Sequence, residues 1–155
     1  MIFKKNTSAE KDSSTSANQL CNMLSYLKQT TSEFEAIADS VEDKDFGMAL
    51  RSIAVQTNQY ANELDSQLKC MDVYNLSPQT QYKVDDLSIF ANTIDKNRKN
   101  VLAVCDRSES FFTTAYQEIL KLDFDYPFLK TMISSQFDGI RAAFMKMRLF
   151  EYGEV

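Results

Sequence analysis

Apolar and small residues recur along this chain in alternating steps of three and four. In residues 101–122, VLAVCDRSESFFTTAYQEILKL, they fall at Val101, Cys105, Ser108, Phe112, Ala115, Ile119 and Leu122, one stripe of an α-helix. Three other segments read the same way: Leu20, Leu24, Leu27, Thr31, Phe34, Ala38 and Val41; Phe46, Leu50, Ile53, Thr57, Tyr60, Leu64 and Met71; and Leu129, Ile133, Gln136 or Phe137, Ile140, Phe144 and Met147. Each stripe is apolar at its ends and small or polar in its middle. Packed together, the segments place Thr31, Thr57, Cys105, Ser108 and Gln136 in one polar layer at the bundle centre, with Tyr60 and Tyr116 near it.

The breaks between stripes set the connections. Residues 1–15 are Ser-, Thr- and Lys-rich with little to bury and read as a disordered tail, so a first helix is expected from Ser16, with N-cap oxygens at Ser14 to Ser16. EDKD at 42–45 opens the second helix with carboxylates that oppose its dipole, and so short a link makes the first two helices antiparallel. Gly47 reads as a place where backbones approach. Asn75, Ser77 and Pro78 mark the clearest break, after which residues 81–93 read as a short helix inside a crossover of roughly 25 residues. A connection of that length suits parallel second and third helices. LDFDYP ends the third helix, with Asp125 as a cap and Pro127 in the first turn of the fourth, which Gly153 ends. The expectation is an all-α domain over residues 16–152, a four-helix bundle with a long crossover containing a short helix between helices two and three.

Composition narrows the chemistry. Only 3 Gly and 2 Pro in 155 residues disfavour a turn-rich β fold. A formal charge of −5 argues against nucleic-acid binding, which needs clustered Lys and Arg. The absence of histidine removes the commonest general base, the commonest transition-metal ligand and every Ser-His or Cys-His nucleophile. Cys21, Cys70 and Cys105 are dispersed and odd in number, which fits neither a zinc site nor a disulfide framework and suits a reducing cytoplasm. No apolar run approaches a membrane span, and the first residues lack the apolar core of a signal peptide, so a cytoplasmic protein without membrane contact is expected.

The run CDRSESFFTTAY, with Cys105, Asp106, Arg107, Glu109, Ala115 and Tyr116 at these spacings, resembles the third helix of the ferritin-like bacterial proteins known as the domain of unknown function 2383 family. Phe34 to Val41, Gln59-Tyr60-Ala61 with Glu63-Leu64, and Gln136-Phe137 with Ala142-Ala143 extend the resemblance over residues 18–150. It implies a ferritin-like four-helix bundle, often dimeric, with no established activity. Ferritin-like di-iron proteins use inward Glu residues and Glu-x-x-His pairs. This chain has no Glu-x-x-His; Thr31 stands where family members often carry Glu, and Phe144 where they often carry His. The di-metal site is expected to be degenerate.

The polar centre admits a ligand or metal pocket, or simply hydroxyls bonded to carbonyls one turn back; the second is expected. Among the carboxylates Glu33, Glu35, Glu63, Asp106, Glu109 and Asp138, only Asp106 and Glu109 share helical spacing, and Arg107 offers an ion pair instead. No metal site is expected; if one exists, Glu63 and Glu109 are its first candidates. Cys105 on the stripe is expected buried and inert. Phe111, Phe112, Phe124, Tyr126, Phe128, Phe137, Phe144 and Phe150 exceed what one side of a bundle uses, and Phe111 and Phe112 cannot both enter one core. A homodimer interface and a wide core covered by the crossover explain this equally well. The leading expectation is a non-enzymatic bundle, without cofactor, acting through self-association or another protein partner. A metal-binding or metal-storage protein with an all-oxygen site and a carrier of small amphipathic ligands are the alternatives.

Overall fold

The computed structural model describes residues 2–71, 97–123 and 126–152, with side-chain surroundings given for residues 16–71, 97–123 and 126–151. The described residues are all helical apart from short links: α1 (Ile2–Ser40), α2 (Lys44–Cys70), α3 (Arg98–Leu120), α4 (Pro127–Met147) and a single turn, α5 (Leu149–Tyr152). No strand occurs among them, and no helix is long and apolar enough to cross a membrane. The expected crossover helix, with residues 81–93, lies outside the described residues, as do Phe124, Asp125 and Gly153.

The helix starts follow from local chemistry. Asp43 caps α2 by accepting from the backbone N–H groups of Asp45 and Phe46 at 3.0 and 3.2 Å, satisfying donors that have no partner within the helix. Asn97 does the same for α3 through the N–H of Asn100 at 2.9 Å. Pro127 opens α4 behind Tyr126, which makes no side-chain cap. Two boundaries differ from the sequence reading. Backbone helix begins at Ile2, not Ser16, since helical hydrogen bonds are internal and need no buried face. The fourth helix breaks at Arg148 before the turn of α5.

Contacts join α1 to α2, α2 to α4, α4 to α3 and α3 to α1, closing a ring around one core. Named pairs give the directions. Thr31 meets Thr57 and Asp39 meets Arg51, so α1 and α2 are antiparallel. Phe46 packs on Phe150 while Gln136 reaches Tyr60 and Glu63, so α2 and α4 are antiparallel. Arg148 bonds Glu109 and Tyr116 bonds Gln136, so α3 and α4 are antiparallel as well. Tyr26 packs edge-on against Phe111, and Arg98 at the start of α3 pairs with Asp43 just past the end of α1.

All four stripes face inward. Leu20, Leu27, Phe34, Leu50, Leu64, Val101, Phe112, Ile133 and Ile140 are buried, with Phe112 in contact with Tyr116 and Phe144, and Phe34 edge-on to Phe144. One end is tied by Arg98, whose guanidinium pairs with Asp43 and lies 5.2 and 5.6 Å from the Phe46 and Phe150 rings. Gly47 sits where a Cβ would meet Val41 at 3.3 Å and the Ala38 carbonyl at 3.4 Å, the close approach read from the sequence. At Gly139 the approach is tighter. A Cβ there would lie 1.8 Å from the Tyr60 hydroxyl, so α4 meets α2 with a tyrosine laid across a bare backbone.

Candidate functional site: the polar centre of the bundle

All five residues assigned to the polar layer are buried, but they divide into separate groups. On the α1–α2 contact, the hydroxyls of Thr31 and Thr57 lie 2.7 Å apart. Thr31 also reaches the Leu27 carbonyl at 2.9 Å, and Thr57 the Ala54 carbonyl at 3.1 Å. Two hydroxyl protons serve these three contacts, so one threonine donates to the other, which donates to its own helix. The pair is self-sufficient and presents no free donor to a ligand.

Gln136 organises the second group. Its Oε1 accepts from the Tyr116 hydroxyl at 3.1 Å, while its Nε2 donates to the Tyr60 carbonyl and to Glu63 Oε2, both at 3.2 Å. Gln59 donates to the other Glu63 oxygen at 3.2 Å, and Gln56 to the Tyr60 hydroxyl at 2.6 Å. One amide on α4 therefore ties α2 to α3. Gln136 was read on the stripe, but its partnership with Glu63 had no signal in the sequence, because it depends on the α2–α4 register.

The two carboxylates named for a metal are not brought together. Glu63 meets α4 at Gln136, whereas Glu109 meets it at Arg148, 2.5 Å away. Twelve residues of helix separate those two partners, roughly 18 Å at 1.5 Å per residue. Each carboxylate already has a donor suited to it, and among the described residues no group of three Cys, Asp or Glu side chains is placed to hold an ion. Two grooves of about 390 and 700 Å³ lie elsewhere, one by Asp43, Phe46 and Arg98, the other by Leu120, Lys130 and Asp138.

Cys105 is 2% exposed, and burial, then the nearby Asp106 and Glu109 charges, push its thiol well above the ordinary 9.0. A thiol so placed stays protonated and unreactive. Tyr116 is pushed upward from 10.0 by burial and then by the neighbouring Tyr60 and Glu63. Both folded values exceed the unfolded ones, so each group stabilises the fold fully below its unfolded pKa, and that contribution is lost as pH rises beyond it. Stability should hold to about pH 9, then fall by about 1.4 kcal/mol per pH unit for each suppressed ionisation. Urea titrations across the alkaline range check this, and Tyr116→Phe should remove one proton's worth of the slope above about pH 10.

The aromatic surplus resolves in part. Phe112 enters the core while Phe111 sits half-buried against Tyr26 at 4.6 Å, and Phe150 covers Phe46 at 5.1 Å. Tyr126 and Phe128 stay 50% and 65% exposed, joined on the outer surface by Met48, Val55, Met145 and Leu149. Compared with protein-family models, with curated proteins and with solved structures, the chain has no match.

Proposed function

We propose that this chain is a non-enzymatic, ferritin-like helical bundle of the kind found in the domain of unknown function 2383 family, with a degenerate metal site, acting through self-association or through a protein partner. Its topology supports the fold reading. Asp43 and Arg98 join the starts of α2 and α3 at one end, so these two helices run parallel. Parallel second and third helices are the arrangement that a ferritin-like bundle would require.

The observation that carries the functional reading is that the threonine pair, Gln136 and both candidate metal carboxylates are bonded to protein groups. Thr31 bonds Thr57, Gln136 bonds Glu63 and Tyr116, and Glu109 bonds Arg148, so the chemistry-bearing side chains face one another in separate groups. Large apolar side chains at Met48, Val55, Tyr126, Phe128, Met145 and Leu149 stand instead on the outside, where association would bury them.

Elemental analysis of protein purified without an affinity metal, followed by anaerobic Fe(II) and Mn(II) titration, separates this from metal storage. We expect no bound metal and no saturable uptake, with Glu63→Ala and Glu109→Ala shifting stability only modestly. About one equivalent of metal, lost on either substitution, would overturn the reading.

A further inference from the structure

Some side-chain hydroxyls in these helices bond the backbone of their own helix. Thr31, Ser40, Thr57 and Thr131 each reach a carbonyl three or four residues back in their own helix, at 2.8 to 3.2 Å. Thr30 and Ser108 do not. Both residues are 1% exposed, and neither Oγ has any protein partner within hydrogen-bond distance.

Both lie on the same side of the bundle. Tyr26 of α1 packs on Phe111 of α3; Thr30 is one turn along α1 from Tyr26, and Ser108 one turn back along α3 from Phe111. Because the two helices are antiparallel, those turns run in the same direction. The α1–α3 contact is also the shallowest in the ring, and Asn22, one turn from Tyr26 in the other direction, has a buried Oδ1 that is likewise unpartnered. Polar atoms taken out of water and left unbonded are costly, and native structures satisfy them with ordered water when protein groups do not.

We infer that the α1–α3 seam is an internal hydration site, with ordered water held by the hydroxyls of Thr30 and Ser108. The α1–α2, α2–α4 and α3–α4 seams carry direct side-chain bonds, Thr31 to Thr57 and Gln136 to Tyr116 and Glu63.

Water-to-protein NOE and ROE spectra of the full chain test the inference. The expected result is long-lived water with a negative NOE to the protons around Thr30 and Ser108, the signal at each position disappearing in Thr30→Val or Ser108→Ala respectively. Absence of long-lived water at both positions in the unsubstituted protein, with the hydroxyls instead bonded to the Tyr26 and Val104 carbonyls, would overturn it. The measurement on the unsubstituted chain decides the matter even if a variant fails to fold.

Discussion

Phe112→Ala should destabilise the protein by about 3–5 kcal/mol, the range for removing a fully buried aromatic ring. Phe112 is 0% exposed and touches rings on three sides: Phe111 at 6.0 Å, Tyr116 at 6.2 Å and Phe144 at 6.3 Å. Through Phe144 the cluster continues to Phe34 of α1 at 5.7 Å, so one ring on α3 supports contacts to α4 and, across the core, to α1. The surrounding rings cannot collapse into the gap without breaking their own edge-to-face and stacked contacts. Set against a total of roughly 5–15 kcal/mol for an ordinary domain, the loss is a large share. Thermal unfolding should shift down by roughly 6–20 °C at about 2–4 °C per kcal/mol for a chain of this size.

The second large effect is expected at Gln136. Replacing it by Leu keeps the volume but leaves the Tyr116 hydroxyl, wholly buried and donating to Gln136 Oε1, without an acceptor. An orphaned buried hydroxyl costs about 1–3 kcal/mol, and the two bonds from Gln136 Nε2 are lost as well, so about 2–3 kcal/mol in total is expected. Tyr116→Phe in the same chain removes the stranded hydroxyl. The double variant should therefore be destabilised by clearly less than the sum of the two singles, with a coupling of about 1 kcal/mol or more. Chemical denaturation of the four proteins measures it, and additivity would show that the hydroxyl and the amide act independently.

How far these features can be read from the sequence depends on whether they are local. The stripes Leu20 to Ala38, Phe46 to Leu64, Val101 to Ile119 and Leu129 to Met147 are legible because a helix burying one face repeats its apolar residues every three or four positions. The acidic start of α2 at EDKD and Gly47 as a close approach are legible for the same reason: each is decided within a few residues. The polar middle is legible as composition and not as geometry. Thr31 and Thr57 sit on their stripes, but which polar residue bonds which depends on the register between helices, so a single layer was expected where the structure separates a threonine pair from a glutamine cluster. The distance between Glu63 and Glu109 has the same origin.

Tertiary features without a periodic signature could not be read at all. Thr30 neighbours a stripe residue and looks like an outward position, yet α1 touches both α2 and α3 and so buries two adjacent faces. Arg98 reads as one more surface charge at a helix start, and only the fold brings Asp43, Phe46 and Phe150 around it. Phe111 looks surplus until Tyr26 is placed against it. Gly139 resembles any helical glycine until the Tyr60 hydroxyl is seen lying over its Cα.

The central claim, that this bundle acts by association, is tested most directly by sedimentation velocity over a wide concentration range, with Met48→Glu/Val55→Glu as a companion. Met48 and Val55 are 61% and 64% exposed and seven residues apart on the outer surface of α2, two turns along one face. The account predicts a species of twice the 17.8 kDa chain mass, shifted toward monomer by the paired substitution. A 17.8 kDa monomer at every concentration, unchanged by the substitutions, would contradict it.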